Sequence, residues 1–442
     1  MRLTTYNSRC FWLFGISLVA ISSNLIQAQE QTPVRQLGQS TATNPYELAL
    51  DGQVQRRNRE AAPDAISTSA AGGEDTWWSG MEDIAQKSMD QSAWAFKYGM
   101  TAGWEYDTNF RMSSRGSEDE TSIYSVSPYG TLSYGQPGYG LDFQLRYAPE
   151  FRWFSEDTID DVINHAVSAS LGLNGSHSRV ALTASYAKNE GGSVEVGGLV
   201  TSDVFNVKLA GSYDISPKTS IGGDIGYNIT EYDTFNSFDK LSAGSYIDYA
   251  ITPKVRLGLG LNYEHLEQDT SLSQDAFSLG LRFNWAMTEK VGITGLLSGE
   301  YREIEGGESI ATPTFSVGAY YKPTQKITTQ LSLYRRATPS IGLSDTIFYA
   351  TGAALSSSYM VTDRIRIGMS AGYEVSEYEA TDTGGVIDRE DTYFFVRPTI
   401  TYTFNSHLSA NLFYQYSTND SSTGPGSSFD RNQIGLYLSL AF

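Results

Sequence analysis

The chain has 442 residues, a formal net charge of −19, 29 Tyr, 42 Gly, 13 Pro and a single Cys. Such acidity speaks against nucleic acid as a partner, because phosphate binding needs clustered Lys and Arg. Mean hydropathy is −0.30, and beyond the N-terminus there is no apolar run long enough for a spanning helix, which excludes a helical membrane protein.

The first 28 residues read as a secretory signal. Arg2 and Arg9 precede the apolar stretch Cys10 to Ile21, and Ala28 closes a plausible cleavage site. Removing it leaves a mature chain with no cysteine, so no disulfide staples the fold. Residues 29–93 are polar and poor in aliphatics, as expected of a largely flexible periplasmic segment. Within them Thr76 could cap a short helix over 76–89 that presents Trp78, Met81 and Ala85 on one face. It would serve as an interfacial lead-in to the first strand, or alternatively as a plug or docking helix.

From residue 94 to 442 the pattern changes to strict alternation. In the first run, Phe96, Tyr98, Met100, Ala102, Trp104 and Tyr106 oppose Lys97, Gly99, Thr101, Gly103 and Glu105. Leu141, Phe143, Leu145, Tyr147, Phe151 and Trp153 then oppose Asp142, Gln144, Arg146, Glu150 and Arg152. In ITPKVRLGLGLNYEHLEQ (251–268), a tight turn opens a strand whose Val255, Leu257, Leu259, Leu261 and Tyr263 face away from Arg256, Gly258, Gly260, Asn262 and Glu264. Period 2 over about ten residues, between a tight turn and a longer polar loop, suits a tilted membrane strand.

Tight turns recur near Pro137, Ser176, Pro217, Pro253, Glu289, Pro323, Asp363 and Ser406. Each interval of roughly 40 residues holds two long strands, whereas a propeller blade would need four short ones. Eight turns, one strand before them and one after predict a transmembrane antiparallel up-and-down β-barrel of about 18 strands, with 16 as the alternative count. Closure removes the edges that an open sheet of this size would expose. The tight turns carry Lys218, Lys254, Lys290, Lys326 and Arg364. The long loops carry acidic groups such as Glu118-Asp119-Glu120, Asp160-Asp161 and Asp388 with Glu390 and Asp391. Solvation accounts for both, although cations beside phospholipid headgroups are favourable and an acidic rim could meet cation-bridged lipopolysaccharide.

The chain ends RNQIGLYLSLAF, with Ile434, Leu436, Leu438, Leu440 and Phe442 in alternation. This ending resembles the terminal strand of bacterial outer-membrane proteins, which implies recognition of Phe442 by the barrel-assembly machinery. GWEYDTNF (103–110), VSPYGTLSYG (126–135), LDFQLRYAPEFRWF and DDVINHAVSASL (160–171) resemble the family of type 2 β-barrel porins. The resemblance covers roughly Ala95 to Phe442. It implies a Gram-negative outer-membrane channel associated with exopolysaccharide and with polysaccharide-export components, while the even strand count keeps both termini, and so the N-terminal segment, on the periplasmic side.

The charged residues predicted to face the lumen are Lys97, Glu105, Asp142, Arg146, Glu150, Arg152, Arg256, Glu264, Arg282, Glu300, Arg302, Arg366, Glu374 and Arg397. A barrel of this size is too wide for such side chains to fill, so they should be hydrated around an aqueous channel, though many could pair along the wall. Tyr129, Tyr246, Tyr320, Tyr334, Phe348, Tyr393, Phe413 and Tyr437 fall on the same side, where aromatic faces could let sugar rings slide. No catalytic set, cofactor site or metal site stands out. His165 near Ser168 and His265 near Glu264 and Glu267 lack an ordered nucleophile–base–orienter arrangement, no zinc spacing occurs, and the paired acids offer at most loose Ca²⁺ binding. The sequence therefore predicts a passive channel for hydrophilic solutes or saccharides. The alternatives are an adhesin-like surface barrel with a closed lumen and, less favoured, a barrel enzyme.

Overall fold

The computed structural model describes residues 94–136, 138–382, 387–422 and 428–442. The signal segment, the N-terminal linker and the predicted helix over 76–89 lie outside these residues.

Among the described residues every regular element is a strand. The first pieces are β1 (Ala95–Asp107), β2 (Thr121–Gln136), β3 (Tyr139–Tyr147), β4 (Glu150–Phe154), β5 (Val162–Asn174), β6 (Ser178–Ser193), β7 (Gly198–Asp214) and β8 (Thr219–Tyr232). They continue with β9 (Phe238–Thr252), β10 (Val255–Gln268), β11 (Gln274–Trp285), β12 (Val291–Ile304), β13 (Ile310–Thr324) and β14 (Ile327–Pro339). The last are β15 (Thr346–Met360), β16 (Ile365–Ala380), β17 (Glu390–Thr403), β18 (Leu408–Ser421) and β19 (Phe429–Ala441). Each pairs antiparallel with its sequence neighbour, except that β3 and β4 both pair with β2 and β5, and β1 also pairs with β19 from Gly99↔Ala441 to Asp107↔Gln433. The wall is closed.

Pro149 explains why 19 segments make 18 staves. It has no N–H to donate, so β3 and β4 are separate pieces, yet both lie between β2 and β5. The eight tight turns fall where the sequence places them, joining β2 to β3 and then every second pair up to β17 and β18.

Six of these turns share one device. Ser216, Thr252, Thr288, Thr324, Thr362 and Asn405 each accept, through the side-chain oxygen, the backbone N–H two residues on, and five of them also accept the next N–H. Short oxygen-bearing side chains are suited to such local closure. The residue two positions on is Lys218, Lys254, Lys290, Lys326, Arg364 or His407, and each is exposed.

Directly opposed residues share a face, so the registers sort every side chain. One face carries the exposed apolar groups, from Phe394 at 36% to Phe96 at 64% of full exposure, with Tyr98, Leu261, Leu279 and Met369 among them. In a closed barrel the more accessible face is the outer one. An apolar outer belt of this extent needs an apolar surround. The other face points inward.

Candidate functional site

The inward face is charged, and many of its charges are paired along the wall. Lys208 meets Asp224 at 2.9 Å, Arg282 meets Asp248 at 2.9 Å, and Lys240 meets Glu264 at 3.4 Å. Arg302 reaches Glu264 at 3.3 Å and Glu300 at 2.9 Å, while Arg336 lies 3.6 Å from Glu374. Beside the β1–β19 seam, Arg431 binds Asp107 through two guanidinium nitrogens.

Neutral groups also partner several of the predicted lumen residues. Glu105 accepts from Gln433 Nε2 at 2.5 Å and Tyr437 OH at 2.9 Å. Asp142 accepts from Gly138 N and Asn174 Nδ2, Glu150 from Asn164, and Glu374 from Tyr334 OH. Arg256 donates to Ser220 Oγ and Arg397 to Gln415 Oε1, while Arg152 donates to the Glu190 carbonyl. Arg146 lies over Tyr129, Arg366 is half-buried, and Lys97 is exposed near the turn end.

The expected hydration is corrected for five of the fourteen. Glu105, Asp142, Arg282, Arg302 and Glu374 are at most 9% exposed. Cross-wall pairing contributes, and a second cause is the way the loops fold.

The aromatic side chains follow a rule that only the register reveals. Tyr129, Tyr246, Tyr320, Tyr334, Phe395, Phe413 and Tyr437 each stand directly opposite a glycine: Gly99, Gly222, Gly292, Gly352, Gly372, Gly435 and Gly103. A Cβ at any of these glycines would sit 2.2–2.7 Å from the ring. The rings therefore lie against the wall over bare backbone, a cross-strand arrangement that compensates for glycine in sheets. On four of them a guanidinium stacks: Arg146 on Tyr129, Arg282 on Tyr246, Arg336 on Tyr334 and Arg397 on Phe413, at 3.6–4.6 Å from the ring centres. These four rings are covered, which removes them as faces along which a sugar could slide.

At the loop end the lumen is filled. The ladder between β13 and β14 stops at Phe315↔Arg335, but β14 and β15 remain paired up to Pro339↔Ile347. Their hairpin parts from β13 and turns inward while β15 stays paired to β16 up to Thr346↔Ala380, so that Ile347 and Tyr349, outward by parity, are 1% and 0% exposed. Its tip, residues 340–345, is tied to four other loops. Ser340 O accepts from Gln268 Nε2 at 2.6 Å and Ile341 O from Asn236 N at 3.1 Å. Asp345 bonds Leu272 N, Ser271 Oγ and Thr381 N.

Glu195, at the tip of the β6–β7 hairpin, binds the same segment from another part of the wall. Its carboxylate accepts from Ser340 Oγ at 2.5 Å, Ile341 N at 3.1 Å and Gly342 N at 3.2 Å. Its own carbonyl accepts from Arg389 Nη2 at 2.6 Å, and Arg389 in turn pairs with Asp391. Burial pushes the Glu195 carboxyl above its ordinary value of 4.5, opposed by the Ser340, Gly342 and Ile341 hydrogen bonds and by the Arg389 charge. The loop after β1 completes the filling. Met112 enters a buried apolar cluster with Tyr393, Phe395 and Phe429, against which Val194 packs. Beneath the tip lies a cavity of about 80 Å³ lined in part by Glu195, Arg336, Glu374, Tyr378 and Asp391.

Sequence reasoning missed this inward hairpin and its latch. Alternation reports which side of a wall a residue faces, not whether the wall bends. The histidines form no catalytic pair: His165 is bonded to Tyr147 OH and lies on the outer face, opposite to inward Ser168, and His265 contacts Asp275 and Glu267. Among the described residues no group of three or more His, Cys, Asp and Glu could hold a metal ion.

No family model matches the chain, and no curated protein matches it. Solved structures similar to it include OccK2 of Pseudomonas aeruginosa, at 14% identity over 78% of this chain and 98% of that one, TM-score 0.46. The FrpB iron transporter of Neisseria meningitidis is 9% identical over 82% of this chain and 83% of its own, TM-score 0.44. A loop-deleted OmpT, an outer-membrane protein of Vibrio cholerae, is 16% identical over 79% of this chain and 99% of its own, TM-score 0.38.

Proposed function

We propose that the protein is a channel of the Gram-negative outer membrane that passes hydrophilic solutes and is closed, in this conformation, at its loop end. The observation that carries the reading is the combination of an apolar outer belt with a charged, pair-lined interior whose blockage consists of loops rather than wall. A stopper tied by hydrogen bonds can be released without dismantling a stave, and gating of this kind is common where a segment has two packings.

The saccharide or exopolysaccharide cargo implied by the resemblance to type 2 porins rests on that resemblance. The four covered rings offer such a cargo no sliding surface, so it would have to be held by the polar wall. Export components would be partners on that resemblance alone, whereas lipopolysaccharide is suggested by the acidic loops and the assembly machinery by the terminal strand that ends on Phe442.

The filled loop half favours a second reading, a surface barrel whose lumen never opens. Planar-bilayer recording separates the two. The refolded full chain and a variant with residues 340–345 replaced by two glycines are compared. Discrete conductance steps in the variant support the channel. A variant that still folds, shown by heat-modifiable gel migration, yet passes no current favours the surface barrel. Added oligosaccharide that leaves an open current unchanged removes the saccharide cargo.

A further inference from the structure

The charge inside the barrel is not evenly distributed along its axis. In the half of each strand nearest the tight turns, the inward positions carry eight cations and four carboxylates. Lys208 and Arg282 are matched by Asp224 and Asp248. The other six cations are Lys97, Arg146, Arg179, Arg256, Lys322 and Arg366, and the other two acids are Asp142 and Asp214. Partnered or not, these side chains sum to an excess of four positive charges, eight against four, in a chain whose net charge is −19. Arg397 adds a cation at mid-height, over Phe413.

The rim has the same sign. Lys218, Lys254, Lys290, Lys326 and Arg364 are exposed at successive turn tips, against Glu289 and Asp363 on those turns. The stapled turns fix where these residues emerge. Nearer the plug the balance reverses, with Glu105, Glu150, Glu264, Glu300 and Glu374 among the inward acids.

We infer that the turn-end half of the lumen is an anion-gathering vestibule, and that the solute this channel takes is a hydrophilic anion entering or leaving through that mouth. The inference rests on the channel reading and names its substrate class. A low-dielectric wall concentrates the field of one sign into the enclosed water and raises the local concentration of the opposite ion. Rings of Lys and Arg select anions in this way. The acid-rich zone near the plug then acts as a barrier that an anion crosses only when the loops have moved.

The test uses the 340–345 replacement described above in a KCl gradient. The reversal potential is expected to have the sign of anion preference. In Lys97→Glu/Arg256→Glu/Arg366→Glu on the same background, three reversals turn the excess negative, and the sign should invert. Cation preference before the reversals overturns the inference and leaves the channel intact. Absence of any current overturns the channel reading instead.

The vestibule is also readable in a barrel that passes nothing. A fluorophore on Ser358→Cys, an inward position near the turn end, is exposed to iodide, caesium and neutral acrylamide. Quenching by iodide enhanced over acrylamide, and lost in the triple variant or at high salt, supports the positive vestibule. Quenching that favours caesium, or is indifferent to charge, overturns it.

Discussion

Glu195→Ala should unlatch the stopper. The carboxylate holds three donors, Ser340 Oγ, Ile341 N and Gly342 N, within 2.5–3.2 Å. A methyl in its place strands the Ser340 and Ile341 donors in a buried site, at about 1–3 kcal/mol for each, while the exposed Gly342 N–H can turn to water. The carboxylate is itself opposed by burial, which offsets part of that sum, so we take a net loss of about 3 kcal/mol from the closed conformation. At about 1.4 kcal/mol per tenfold, that is a shift of roughly 100-fold in the ratio of open to closed channel. Single-channel recording of the full-length protein in planar bilayers reads the ratio directly as open probability. Glu195→Gln serves as the control, since one amide oxygen still accepts and burial no longer opposes a charge. An open probability unchanged in the alanine variant, with opening still produced by replacing 340–345, would refute the assignment of Glu195 as the latch.

Acidity should act through the same residue. A carboxyl whose pKa is higher in the closed form takes up a proton on closing, so closure is strongest at low pH and weakens as pH climbs from 4.5 through the raised value. Dwell times recorded across that window should shorten upward, and Glu195→Gln should flatten the profile; a profile equally steep in the variant would assign it to another group. Asp107→Ala strands a fully buried guanidinium at Arg431, at a cost of about 3–5 kcal/mol, whereas Asp107→Ala/Arg431→Met should recover most of the loss; urea unfolding in vesicles followed by Trp fluorescence measures both. Gly372→Val places a side chain against the Phe395 ring, 2.3 Å from the Cβ position, and should cost about 1–3 kcal/mol by overpacking. Its unfolding midpoint should fall, while a valine at Gly299, where nothing lies within 4 Å, should leave the midpoint nearly unchanged.

How much of this was legible in the sequence depends on the range of the interaction. The wall was, because inward and outward positions alternate along every stave and the turns announce themselves locally, as Thr252-Pro253-Lys254 does. Eight turns were enough to count 18 staves. The lumen charges were legible as types and sides, but not as pairs. Arg302 meets Glu264 across 38 residues, and no local signal carries that contact. The glycine–aromatic pairs needed a register, which a one-residue slip would undo. The plug was least legible. Pro339-Ser340-Ile341-Gly342 reads as an ordinary surface loop, and only the meeting of Ser340 with Glu195, 145 residues away, makes it a stopper.

The stapled turns have a consequence for how such a wall could grow. Lys218, Lys254, Lys290 and Lys326 recur at a constant interval. Each of their backbone carbonyls receives an N–H from the following hairpin: Ala250 onto Lys218, Ala286 onto Lys254, Lys322 onto Lys290 and Met360 onto Lys326. Every hairpin thus ends in the same acceptor and begins by supplying the same donor. One complete unit can be duplicated or excised with the remaining joints still matched, whereas a cut within a unit leaves a donor without its carbonyl, and one of odd length also puts the side chains on the wrong face. Barrels two staves narrower or wider lie a single recombination event from this one.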